Sequence, residues 1–153
     1  MAGEIAVDDP GALDVRALLA THLTFSHQHS PPEDVHALDV DRLRDPAVTF
    51  FSYREGGRLL AVGALRRLDD EHAEVKSMHT ASEARGRGIG RAVLAHLIAE
   101  ARARGHRRLS LETGTMAAFA PARALYASAG FVPCEPFGSY FHSPNSTCMT
   151  LVL

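Results

Sequence analysis

Ala73-Glu74-Val75-Lys76-Ser77-Met78-His79-Thr80, followed after four residues by Arg85-Gly86-Arg87-Gly88-Ile89-Gly90-Arg91, is the stretch on which the fold turns. Glu74 to Thr80 is strand-like in composition, and the three glycines stand where that strand feeds the start of a helix. Past Ala81 the hydrophobic period changes. Ile89, Val93, Leu97 and Ala101, flanked by Leu94 and Ile98, mark one face of a helix from about Gly88 to Arg104. Gly105 supplies its stop signal. Leu109-Ser110-Leu111 then reads as a short strand. A strand, helix, strand crossover requires parallel pairing, so the strands around Glu74 and Leu109 are expected side by side and parallel.

Upstream, Glu4 to Val7 reads as a short first strand, and Asp9-Pro10 opens a helical pattern carrying Leu13, Val15, Leu18, Leu19 and Leu23. Ser26 to Pro32 breaks that regularity. A second short helix is expected from Pro32 or Glu33 to about Leu43, ended by Asp45-Pro46. Val48 to Arg54, Leu59 to Leu68 and Glu74 to Thr80 form a meander of antiparallel strands through the turns Glu55-Gly56-Gly57 and Asp69-Asp70-Glu71. Downstream, Pro121 to Ala129 reads as a helix stopped by Gly130, and Phe131-Val132 with Cys148 to Val152 supply the final strands. The sum is a mixed α/β sheet, and no composition shift, repeat or linker divides residues 1–153 into more than one domain.

Hydrophobic residues make up 46% and charged residues 22% of the 153, which excludes disorder, collagen and coiled coil as descriptions of the whole. Apolar runs are broken by charge short of the ~18 residues of a spanning helix, and Met1 to Gly11 lacks an apolar leader, so a cytoplasmic protein is expected. Sixteen basic against eighteen acidic residues leave a net charge of −2, giving no general attraction to nucleic acid or to an anionic membrane. The local distribution is less even. Lys76 is the only lysine, and seven arginines (85, 87, 91, 102, 104, 107 and 108) crowd one segment, where an anionic partner is expected. Cys134 and Cys148 fit no zinc spacing and are expected to be free thiols.

Glycines allow backbone N–H groups to converge on an anion, and a helix N-terminus favours negative charge. A phosphate or pyrophosphate is the natural guest of Arg85 to Arg91, with the arginines adding mobile charge. The dinucleotide-binding fingerprint fails because Arg91 and Val93 stand where a closing glycine is needed, and the Walker A motif fails because no Gly-Lys-Ser/Thr follows. The alternative is a turn that only reverses the chain.

Arg85-x-x-Gly88-x-Gly90 behind this strand resembles the acyl-CoA-binding signature of the GNAT superfamily of N-acetyltransferases. Ala122-x-x-Leu125-Tyr126-x-x-x-Gly130-Phe131 resembles the element that this superfamily sets against the thiol end of CoA. Ser30-Pro31-Pro32-Glu33 to Asp39 and Pro136 to Tyr140 resemble a bacterial branch of it. One position departs from the pattern: Phe119 stands where many members carry an asparagine that touches the cofactor arm. The resemblance implies a mixed, mostly antiparallel sheet of about six to seven strands flanked by helices, with two central strands splayed apart. It also implies acetyl-CoA as cosubstrate, bound by Met78, His79, Thr80, Arg85, Gly86, Arg87, Gly88, Ile89, Gly90 and Arg91, and direct transfer to a primary amine.

Acetyl transfer needs a base for the ammonium, polarisation of the thioester carbonyl and a proton for the departing thiolate. The resemblance offers Glu74 as the base, with His79 as rival, and Tyr126 as the proton donor. Each also has a purely structural reading, as a salt-bridge partner or a packed aromatic. His29, Glu33, Glu112 and Tyr140 are the expected acceptor-binding residues. His27, His29 and His36 lack the spacing of a metal site, so no metal is expected. The expected partner is a small-molecule amine or a peptide amine, with homodimerisation left open. A non-catalytic acyl-CoA-binding or sensing module remains the alternative.

Overall fold

The computed structural model describes residues 3–34 and 39–153. The strands are β1 Glu4–Val7, β2 Val48–Glu55, β3 Arg58–Arg67, β4 His72–Thr80, β5 Arg108–Gly114, β6 Val132–Cys134 and β7 Ser146–Val152. The helices are α1 Leu13–His29, α2 Val40–Leu43, α3 Ile89–Ala103 and α4 Ala120–Ser128. One mixed sheet runs in the order β1-β2-β3-β4-β5-β7-β6. Every pairing is antiparallel except β4 with β5, where Ala73 lies opposite Leu109 and Glu74 opposite Ser110. The parallel crossover through α3 therefore stands where the strand, helix, strand pattern places it.

Alternation along the strands builds a core on each face. Phe50, Val62 and Ala64 pack with Val15 and Leu19 of α1 and Leu43 of α2. Phe51, Leu65, Val75 and Leu111 pack on the other face with Val93, Leu97 and Ala101 of α3 and with Tyr126 and Phe131. The stripe read from the sequence is the buried face of α3. Leu97 is 0% exposed, and truncating such a leucine to alanine costs about 2–5 kcal/mol. Gly63 lets α3 approach, since a Cβ there would meet Val93 Cγ1 at 2.8 Å.

Several boundaries differ from the expectation, among them β5, which runs on to Gly114, and β7, which starts at Ser146. The first helix does not break at Ser26 but runs to His29, because Phe25 and Ser26 turn inward on its sheet-facing side, and it stops only before Pro31-Pro32. Ser30, which precedes Pro31, is extended at φ −138°. The expected second helix is a 3-10 turn at Pro32–Asp34 and the short α2, where the Asp39 side chain accepts from the Arg42 N–H at 2.9 Å. The part of that expectation on residues 35–38, including His36, lies outside the described residues. Phe131 is not in a strand. Its ring is 2% exposed in the core and its N–H donates to the Tyr126 carbonyl, so β6 begins at Val132.

A bulge interrupts β4. Lys76 pairs with Ala64 and His79 with Val62, which leaves Ser77 and Met78 together opposite Gly63. Ser77 takes a φ of 55°, a left-handed conformation that is costly for a residue bearing a Cβ.

Candidate active site

Parallel pairing of β4 with β5 ends after Glu74 and Ser110. Beyond it β4 follows β3 to Thr80, while β5 follows β7 to Gly114, so the two strands diverge. A cavity of about 540 Å³ fills the gap and runs from the glycine-rich turn to the side of α1.

At one end stands the start of α3. Gly88 is its N-cap at φ 79° with no side-chain cap, and Gly86 has the same φ. A Cβ on either glycine would meet no protein atom within 4 Å, so the space before the helix is open. The first amides of a helix have no intrahelical acceptor, and here no side chain caps them. Together with the helix dipole this makes an anion seat. Arg85 and Arg91 line it, and the Arg85 guanidinium donates to the Thr80 carbonyl at 3.4 Å. Met78, His79, Thr80, Ile89 and Gly90 line the same cavity. Arg87 does not: it lies 2.7 Å from the Glu55 carboxylate.

In the middle of the cavity stands Tyr126, only 9% exposed and edge-on to Phe131. Burial, with a smaller push from the Glu112 charge, raises its phenol to about 12, so it keeps its proton at neutral pH. Glu112 also lines the cavity and accepts from the Ser146 hydroxyl at 2.5 Å.

Glu74 lies beneath this floor rather than in it. It is 2% exposed and accepts from the Tyr140 hydroxyl at 2.5 Å, and that hydroxyl accepts from Lys76 Nζ at 2.8 Å. Lys76 Nζ is 3.5 Å from the Glu74 carboxylate. Of the three, Lys76 lines the cavity. Burial, then the charge of Glu74 and the hydrogen bond to it, raise the Tyr140 pKa strongly, so the phenol stays a donor.

The far end is the wall of α1. His22, Phe25, Ser26 and Ser30 line it, with Phe119 opposite. His22 Nδ1 and His79 Nδ1 lie 3.3 Å apart, close enough for one ring to donate to the other. Both pKa values are lowered to about 4, by burial first; His79 and then Lys76 add to this for His22, and Arg85 for His79. The pair is therefore neutral. His79 Nε2 and the Ser77 hydroxyl are buried without a hydrogen-bond partner among the described residues. His29 is exposed and rests on Phe25 at 4.5 Å between ring centroids, and Glu33 is exposed on its 3-10 turn; neither lines the cavity.

His22 and Phe25 are residues that sequence reasoning passed over. The signal was present: His22, Phe25, Ser26 and His29 follow the i, i+3, i+4, i+7 spacing of one helix face, visible once α1 is read through to His29. Among the described residues no group of three or more His, Cys, Asp or Glu could hold a metal, and no helix is long and apolar enough to cross a membrane.

The family model described as Acetyltransferase (GNAT) family matches residues 13–131. The uncharacterized N-acetyltransferase YsnE of Bacillus subtilis (strain 168) is 49% identical over 146 residues, covering 95% of this chain and 97% of its own. A crystal structure from Klebsiella pneumoniae, assigned to the acyl-CoA N-acyltransferases, superposes with a TM-score of 0.84 at 27% identity, covering 99% and 97% of the two chains. A GNAT family acetyltransferase from Elizabethkingia anophelis, solved with acetyl-CoA bound, shares the fold at a TM-score of 0.73 and 16% identity, covering 99% and 98%.

Proposed function

The chain belongs to the GNAT family of acetyltransferases, and from that premise we propose that its cleft moves an acetyl group from acetyl-CoA directly to a primary amine. One observation carries the reading: a single cavity joins the uncapped start of α3, the protonated Tyr126 and the α1 wall through the gap between β4 and β5. The residues present fit acetyl-CoA. The α3 turn offers its amides, Arg85 and Arg91 to the diphosphate, and past Glu74 the edge of β4 that faces β5 has no strand partner among the described residues, leaving backbone groups for the amides of the cofactor arm.

Acetyl-CoA supplies an acyl carbon on a good leaving group. The chain supplies the rest. A backbone N–H near the Ser77 bulge polarises the carbonyl oxygen. Tyr126 gives its proton to the sulfur as it departs. Glu74 receives a proton through a relay. Lys76, the one of the three that reaches the cavity, takes the proton of the incoming ammonium and gives one of its own to the Tyr140 hydroxyl, which passes its proton to Glu74. A cytoplasmic place of work is part of the same proposal. The tests are thermal shift and thiol release: acetyl-CoA should raise the melting temperature of the protein by binding only the folded state, and amines should drive release of free CoA thiol. Binding without amine-dependent thiol release from any amine of a broad panel would leave a sensing module instead.

A further inference from the structure

We infer that the acceptor is a primary amine carried on a flat apolar group of aromatic size, with no second positive charge. The inference rests on the acetyltransferase reading and names the acceptor for that site.

The wall facing the gap is aromatic and built. Phe25 of α1 meets Phe119 edge-on at 5.4 Å between centroids, and both line the cavity. His29 stacks on Phe25 from outside and reaches Phe119 at 6.5 Å. The seat of Phe119 is reserved by Gly114, where any Cβ would sit 2.4 Å from the Phe119 ring. The loop that carries Phe119 is tied down by Arg123, whose guanidinium donates to the carbonyls of Gly114 at 2.6 Å and Met116 at 3.0 Å. Such a ring pair offers one face or edge to a third aromatic group, a geometry that favours a flat guest beyond its buried area.

The charge of this wall points the same way. Its described lining residues, His22, Phe25, Ser26, Ser30 and Phe119, include no carboxylate, and the His22 and His79 rings are held neutral. Burying a second ammonium against it would leave that charge without a partner, which is costly. The carboxylates near the cavity, Glu112 and Glu74, lie on the sheet side, where the reacting nitrogen belongs. Nitrogen at the sheet and ring at α1 is the orientation that the two surfaces select.

The test compares kcat/KM for 2-phenylethylamine, n-butylamine and spermidine, read as CoA thiol release, with acetyl-CoA binding followed in parallel by thermal shift. The expected order puts 2-phenylethylamine first by at least about tenfold, the scale on which a hydrophobic pocket discriminates. Phe25→Ala should erase the advantage over n-butylamine while Phe25→Tyr keeps it, with KM for acetyl-CoA unchanged in both. If Phe25→Ala fails to fold, Phe25→Leu takes its place. Spermidine or n-butylamine equal to or better than 2-phenylethylamine, or an order untouched by loss of the ring, would overturn the inference while leaving acetyl transfer intact. Thermal shift by acetyl-CoA with no amine acetylated would overturn it together with the reading it rests on.

Discussion

Deleting one hydroxyl, Tyr126→Phe, separates chemistry from packing. The ring is buried against Phe131, and among the described residues no group hydrogen-bonds its hydroxyl. Loss of that oxygen should therefore cost less than about 1 kcal/mol of stability, within the range of mild substitutions. Catalysis should lose far more. A positioned acid contributes roughly 10²–10⁴-fold, and the lower figure alone corresponds to about 2.7 kcal/mol of barrier. Because the phenol sits at about 12, the parent should show no fall in kcat from its ionisation below about pH 10. Rapid-mixing single-turnover kinetics with saturating acetyl-CoA and amine report the chemical step directly, while equilibrium denaturation reports the fold. The reasoning predicts a deficit of at least about 10²-fold in that step with unchanged KM for acetyl-CoA. Parental single-turnover rates, or a variant that unfolds, would refute it.

Gly88→Val places a Cβ into open space at φ 79°, so stability should fall by about 1–2 kcal/mol from backbone strain, while the thermal shift given by acetyl-CoA should disappear; calorimetric titration checks it. Tyr140→Phe removes the hydroxyl that links Lys76 to Glu74 and should lower the denaturation midpoint by the equivalent of about 1–3 kcal/mol, together with a fall in kcat. Acid should destabilise the fold between about pH 6.5 and pH 4. His22 and His79 are lowered to about 4 in the native state, so the unfolded chain binds more protons in that window, and the stability they contribute is whole above pH 6.5 and lost as pH falls. In thermal melts across that range the parent should lose about 1–3 kcal/mol more stability than His22→Phe as the pH drops.

The glycine-rich turn, the α3 stripe and the parallel pairing of Ala73 with Leu109 were legible because each is local or follows from handedness. The bulge was not. Ser77 adopts its left-handed φ through tertiary context, with no glycine to announce it. The reach of α1 to His29 was hidden because Ser26, His27 and Gln28 read as loop residues, although Phe25 and Ser26 turn inward. β5 extends to Gly114 because β7 pairs along its whole length, a long-range effect that Glu112-Thr113-Gly114 does not display. At the site, residue identities were readable but depth was not. Glu74 reads as a strand residue facing either way, and only the fold places it under Tyr140 and out of the cavity. His29 and Glu33 are near in sequence to the α1 wall yet outside the cavity, whereas His22, one turn before Ser26, lines it.

Transfer of an isotopically labelled acetyl group tests the central claim most directly. With labelled acetyl-CoA and 2-phenylethylamine, the account predicts that the label leaves as an amide on the amine nitrogen, with one free CoA thiol per amide. Label that stays on CoA, despite saturable binding, with 2-phenylethylamine and with every other amine of a broad panel, or that appears as acetate at a rate indifferent to the amine, would contradict it.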